Sequence, residues 1–272
     1  MLRLPKLPDL LTSANLCCGV ASILLASQGQ LTMACWLVFA GGFFDVLDGF
    51  AARATGGGTA LGAQLDSLAD LVTFGVAPAL IIWFMVLMPL AEPMQFLSLM
   101  AMAFEGPVNV GGKLEDANEI FALTGITVLI LVVASAWRLA KFNVDTRQTH
   151  GFLGLATPAN GLFWASLPLA ITGSGGLVAP FGGLLKSLLL LLLYSPYLML
   201  ISLILGVLML SELQLPGLKF KHFGWQGNQV IYILLSIGIL LIALFGMQAV
   251  PMLLLLYVLC PLWGKLFSAS NA

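Results

Sequence analysis

Long, predominantly apolar stretches recur along the chain, separated by short polar breaks. Each comes close to the ~20 residues that carry a helix across a bilayer core of about 30 Å. By apolar length the pattern predicts about eight spans, at 11–28, 31–53, 66–90, 119–140, 157–174, 187–210, 228–247 and 249–267. Gly173, Gly175 and Gly176 cut the fifth short. The segment 93–104 is too short to cross alone and is expected to lie at the interface. The predicted fold class is therefore an all-α, polytopic transmembrane helical bundle.

Composition sharpens this. The chain is 60% apolar and only 8% charged, where a soluble domain carries about 25% charged residues. The bilayer must be the solvent. The net charge of -1 and the absence of a basic tract give no reason to expect a nucleic-acid partner. The first apolar run lacks a small-residue cleavage site and reads as a retained span rather than a signal peptide. Cys17, Cys18, Cys35 and Cys260 lie in apolar runs without CxxC spacing, and read as buried small hydrophobes. No internal repeat or linker separates a second domain.

Lys and Arg placement orients the bundle. With the N-terminus inside, Arg3, Lys6, Arg53, Arg138, Lys141, Arg147, Lys219, Lys221 and Lys265 fall on the cytoplasmic side, and only Lys113 and Lys186 fall outside. That bias follows the positive-inside rule. An even number of spans returns the C-terminus to the side of Lys265. The outer loop with Glu92, Glu105, Glu115, Asp116 and Glu119 fits, with less weight.

The chemistry concentrates where the second span turns into the third. Asp45 and Asp48 are three apart, and Gly49 and Ala52 continue their helix face with almost no bulk. After Gly56, Gly57 and Gly58, the residues Gly62, Asp66 and Asp70 follow at four-residue steps, again on one face. A hairpin of the two helices can gather all four carboxylates near the cytoplasmic end. The glycine run serves equally as a flexible turn or as backbone that approaches a ligand. An intramembrane aspartate costs about 2.5–3.5 kcal/mol at the helix centre, and Arg53 alone cannot neutralise four. Divalent metal can, and carboxylate ligands select Mg2+, Mn2+ or Ca2+ over zinc. A transporter cation site is the rival reading. The position at a helix end and the lack of an inverted repeat favour an enzyme acting on a phosphate-bearing lipid.

Asp45, Asp48, Gly49, Ala52, Arg53, Gly62, Asp66 and Asp70 together resemble the signature of the CDP-alcohol phosphatidyltransferases, with no position departing from it. Softer strings resemble the branch that uses L-serine: Asn15 with Leu16 and Gly19, Phe74 to Pro78, Arg138 to Asn143, and Thr157 to Asn160. The resemblance covers roughly 10–220. It implies a six-helix family core plus two C-terminal spans, with a family domain at 1–218 and an additional transmembrane pair at 219–272. It implies that CDP-diacylglycerol and L-serine give phosphatidylserine and CMP. Two divalent ions, Mg2+ or Mn2+ with Ca2+ able to stand in, would be held by Asp45, Asp48, Asp66 and Asp70, with Asp70 also the general base. Gly49, Ala52, Arg53 and Gly62 would serve the nucleotide. Inositol phosphate, glycerol phosphate or choline as acceptor stays open. A homodimer in a bacterial-type inner membrane, with both termini and the site cytoplasmic, is also implied.

Serine would bring a carboxylate, for which Arg138, Lys141 and Asn143 are the candidates, since arginine can grip it with two parallel hydrogen bonds. The same cations, with Arg147, read equally as headgroup anchors. Asn15 and Asn160 read as interhelical hydrogen bonds, and Thr157 with Pro158 as a helix start. His150 and His222 have no paired ligand and are expected to have no catalytic role.

Overall fold

The computed structural model describes residues 6–56, 59–91, 115–144, 152–172, 188–189, 191–215 and 229–268. Several expectations lie outside them: the segment 93–104, Gly57, Gly58, Gly173, Gly175, Gly176, His150, His222, Arg3, Arg147, Lys113, Lys186, Lys219 and Lys221, with the acids Glu92 and Glu105. The side chains of Glu115, Asp116, Cys260 and Lys265 do too.

The helices are α1 (Leu7–Ser27), α2 (Leu31–Ala54), α3 (Ala60–Asp70), a π-helical turn (Leu71–Val76), α4 (Ala77–Ala91), α5 (Glu115–Val144), α6 (Thr157–Thr172), α7 (Ser195–Leu210), α8 (Gln229–Phe245), a 3-10 turn (Gly246–Gln248) and α9 (Ala249–Ser268). The one departure from an all-helical chain among the described residues is a two-residue antiparallel pair. It joins β1 (Phe152–Leu153) to β2 (Gln214–Leu215), in register Phe152 with Leu215 and Leu153 with Gln214.

Among the described residues, five stretches are long and apolar enough to cross a membrane: Leu7–Ser27, Leu31–Ala54, Ala60–Met88, Asn118–Val144 and Tyr232–Val258. Shorter helices and a fold-back account for the other expected spans. Helices α6 and α7 have 16 residues each, about 24 Å at 1.5 Å per residue, short of a full hydrocarbon core. The two C-terminal spans form one continuous apolar stretch by composition, yet the chain folds back within it. Gly246 adopts φ +60°, and a Cβ on Gly238 would lie 3.4 Å from Leu253 Cδ2. In a straight helix those two residues, fifteen apart, would be about 22 Å distant.

Helix α6 is the axis of the bundle. Every residue from Phe163 to Ile171 is buried, the mark of a helix surrounded by protein rather than lipid. Ala165 and Leu169 face Phe74, Ala77 and Ile81, together with Val38 of α2. Trp164, Leu167 and Ala170 face a second cluster with Leu131 and Ala134 of α5, Leu198 and Leu205 of α7, and Tyr257 of α9. Asn160 accepts a hydrogen bond from Trp164 Nε1 at 3.1 Å. That bond lies within its own helix. Cys35 is buried, Cys18 is half-buried and Cys17 is exposed on the outer face of α1, so burial does not hold for all the cysteines.

Small residues bring the first three helices together, as membrane interfaces require in the absence of a hydrophobic drive between helices. Thr73, in the π turn, lies where a Cβ on Gly19 or on Gly41 would come within 2.5 Å of its side chain. One end of the bundle gathers the start of α1, the end of α2, the start of α3 and the ends of α5 and α7. A Cβ on Gly62 would meet Asp9 Oδ1 at 2.9 Å, Asn143 Nδ2 donates to Ser67 Oγ at 2.9 Å, and Lys141 Nζ donates to the Leu210 carbonyl at 3.2 Å.

Candidate metal centre

Local signals place the carboxylates. Helix α2 runs to Ala54 and the chain turns through Gly56 at φ +89°. Thr59 then caps α3, its hydroxyl accepting from the Gly62 N–H at 2.9 Å. Asp48 lies six residues before the end of α2, and Asp66 six after the start of α3. Each is about 9 Å along its helix from the turn, so the hairpin sets them level. Carboxylate oxygens of Asp45, Asp48 and Asp66 all lie within 4.8 Å of one another.

Asp70 is not part of that mutually close set. It sits one turn deeper, where α3 gives way to the π turn, and its Oδ1 accepts from Asn15 Nδ2 at 3.1 Å. Asp48 Oδ2 accepts from the Thr12 hydroxyl at 2.7 Å. Asp48 and Asp70 are each only 7% exposed. Asp66 Oδ1 is buried without any hydrogen-bond partner.

These residues fit a divalent cation. Three carboxylates face one point, and among the described residues no lysine or arginine forms an ion pair with them. An orphaned buried carboxylate oxygen is costly in protein or lipid. An all-oxygen donor set of this kind suits a hard cation.

A cleft of about 410 Å³ opens beside the aspartates. Asp48 and Asp66 meet it, and Gly49, Ala52, Gly62 and Ala63 form walls with little side-chain bulk. Lys6, Asp9, Thr12 and Thr59 complete it. Gly49, Ala52 and Gly62 were thus legible as a small-residue face. Arg53 is not a lining residue. It is exposed, with its guanidinium 4.7 Å from the Phe50 ring centroid and Nη1 3.8 Å from a Cβ placed on Gly49. Sequence reasoning missed Lys6, Asp9, Thr12 and Thr59. For Thr12 a signal existed, a polar residue one turn before Asn15 in an apolar run.

The three residues considered for an acceptor carboxylate separate. Arg138 is 7% exposed and stacked 5.1 Å from the Phe142 ring centroid. Lys141 is turned to the end of α7, where it reaches the Leu210 carbonyl and lies 3.9 Å from Glu212. Asn143 is engaged with Ser67, next to Asp66 in sequence.

Known proteins match this chain in sequence. A sequence model of CDP-alcohol phosphatidyltransferase matches residues 5–210. The CDP-diacylglycerol--serine O-phosphatidyltransferase of Helicobacter pylori (strain ATCC 700392 / 26695) is 30% identical over 255 residues, covering 93% of this chain and 87% of that protein. The enzyme of the same name from Bacillus subtilis (strain 168) is 26% identical over 217 residues, 80% of this chain and 90% of its own. The archaetidylserine synthase of Methanothermobacter thermautotrophicus is 33% identical over 154 residues, 56% of this chain and 53% of that protein. The matched region holds α1 to α7, and with them every aspartate, both small-residue walls and Arg138. On that match and that geometry, the chain is an integral membrane transferase that belongs to the CDP-alcohol phosphatidyltransferase family.

Proposed function

We propose that the chain transfers the phosphatidyl group of CDP-diacylglycerol to the hydroxyl of L-serine, releasing phosphatidylserine and CMP. The observation that carries the reading is the cleft itself. A carboxylate trio able to hold a cation presents Asp48 and Asp66 to a cleft of about 410 Å³ walled by Gly49, Ala52 and Gly62. Serine as the acceptor rests on the names of the H. pylori and B. subtilis relatives.

In this reading Asp45, Asp48 and Asp66 hold divalent metal, Mg2+ or Mn2+, as two ions. When bound, the metal draws charge from the diphosphate oxygens and favours departure of CMP. The protein's part is binding and proton handling. The small-residue walls admit the nucleotide, and Arg53 at the rim faces its phosphate charge. A serine hydroxyl is a poor nucleophile at neutral pH and needs a base within about 2.6–3.2 Å. Asp70, set apart from the trio, takes that proton. Arg138, buried and stacked on Phe142, receives the serine carboxylate through a two-pronged contact. Lys141 and Asn143 hold the helix ends around that pocket.

The lipid's acyl chains stay in the bilayer while serine arrives from water. Lys6, Arg53, Arg138 and Lys141 cluster at the aspartate end of the bundle, which supports a cytoplasmic site. Residues 1–218 form the transferase domain, with 219–272 packed on it as a further pair, for about eight spans in all. The chain works as a homodimer.

The test is CMP release by purified protein given CDP-diacylglycerol with serine, inositol phosphate, glycerol phosphate or choline. Turnover with serine alone supports the reading. Turnover only with another alcohol removes the serine assignment and leaves the family in place.

A further inference from the structure

Helix α1 donates one hydrogen bond to each of the two aspartate-bearing helices. Thr12 and Asn15 are three residues apart, so they project from one face. The Thr12 hydroxyl reaches Asp48 Oδ2 on α2 at 2.7 Å, and Asn15 Nδ2 reaches Asp70 Oδ1 at the end of α3 at 3.1 Å. Both donors are buried, Thr12 at 4% exposure and Asn15 at 0%.

The two contacts act on different parts of the site. Asp48 belongs to the trio of mutually close carboxylates and Asp70 does not. Asn15 is also held from every side. Its own carbonyl accepts from Thr73 Oγ1 at 3.0 Å. Its Oδ1 has no hydrogen-bond partner and rests against α2, 2.9 Å from where a Cβ on Gly41 would lie. The amide nitrogen is therefore left facing Asp70, the only orientation in which an acceptor-only carboxylate is satisfied. A residue whose backbone is held by a neighbour's hydrogen bond and whose side-chain oxygen is closely packed is built for placement.

We infer that Thr12 and Asn15 are positioning residues with separate duties: Thr12 sets Asp48 for metal binding, and Asn15 sets Asp70 for the acceptor step. The inference rests on the function proposed above, and assigns α1 a role in it that neither aspartate helix can perform for itself. Hydrogen bonds to metal-binding carboxylates tune affinity by about 10- to 100-fold. Loss of a hydrogen bond to a charged group acts on the scale of about 10- to 150-fold.

The experiment reads metal binding and turnover separately on the full-length protein, using Mn2+ binding followed by electron paramagnetic resonance and CMP release with serine. Thr12→Val is expected to weaken Mn2+ binding about 10- to 100-fold, and Thr12→Ser, which keeps the hydroxyl, to restore it. Asn15→Leu is expected to lower kcat about 10- to 150-fold with Mn2+ binding unchanged. Asn15→Asp, nearly isosteric, replaces the donor with a carboxylate that repels Asp70 or shares its proton, and should lower kcat as well. If Asn15→Leu and Asn15→Asp weaken Mn2+ binding as much as Thr12→Val does, the division of duties is wrong. If none of the three substitutions moves either readout, α1 positions nothing. A wild-type chain that binds Mn2+ but releases no CMP with serine would remove the acceptor assignment alone, and the Thr12 arm, read by metal binding, would still decide the role of α1.

Discussion

Gly161 of α6 rests on the backbone of Phe74 in the π turn: a Cβ there would lie 2.6 Å from the Phe74 carbonyl oxygen and 2.7 Å from its Cα. Backbone cannot swing aside as the end of a side chain can. Gly161→Ala is therefore expected to destabilise the bundle by about 1–3 kcal/mol or more, measured as a lowered Tm in detergent. Gly42→Ala is the control. Its nearest neighbour would be 3.6 Å away on the Phe74 ring, an ordinary contact, and its Tm should match the wild type.

Asp66 carries the buried carboxylate oxygen that has no partner. Asp66→Asn keeps the size and removes the charge. Mn2+ binding is expected to weaken sharply, and CMP release to fall by two orders of magnitude or more, about 3 kcal/mol of lost transition-state stabilisation. The protein should still insert and purify as a monodisperse species. Near-normal turnover would remove Asp66 from the site.

Arg138 and Lys141 lie one helical turn apart and are expected to behave differently. Replacing Arg138 with Lys leaves a point charge in place of the planar fork. The KM for serine should rise about 10- to 150-fold, with the KM for CDP-diacylglycerol nearly unchanged and ethanolamine less well excluded. Equal effects on both substrates would make Arg138 a structural anchor.

Lys141 is 41% exposed and its partner Glu212 is 63% exposed. Exposed pairs of this kind contribute about 0–1 kcal/mol. Lys141→Met should leave the serine KM close to wild type and lower Tm slightly. A serine KM that rises as far as that of Arg138→Lys would return Lys141 to the acceptor pocket.

The proposed orientation can be read without an activity assay. A cysteine placed at Lys113 should react with a membrane-impermeant thiol reagent from outside intact cells. One placed at Lys219 should react only after the inner face is opened. The reverse pattern would invert the bundle and put the aspartates on the wrong side for a soluble acceptor.

Much of the site was legible because helical spacing is a local property. Three- and four-residue steps fix which aspartates share a face, and the glycines between them mark the hairpin, so Asp45, Asp48 and Asp66 could be brought together from sequence alone. Contacts made across long sequence separations leave no such trace. That Asp48 would find Thr12, or that Asn143 would pair with Ser67, depends on helix rotation set by packing of the whole bundle. The spans were legible by apolar length wherever lipid is the neighbour. The expected break between 228–247 and 249–267 falls at the fold-back at Gly246, whereas apolar length does not tell that α6 is surrounded by protein rather than lipid. The π turn has no signature in the apolar string 71–76.

That turn makes the third span sensitive to length in a way its composition conceals. Within Leu71–Val76 each hydrogen-bonded ring encloses one residue more than an α-helix allows. Were the same residues to continue as regular α-helix, everything beyond the turn would be rotated by about 100° relative to the aspartates. Ala77 and Ile81 would swing away from Ala165 and Leu169, or else α3 would turn its carboxylates from α2. The span works as a phase adapter between two surfaces that no uninterrupted helix of the same residue count could serve at once. Loss of one residue within the turn is the change that a regular helix could absorb with both surfaces still served.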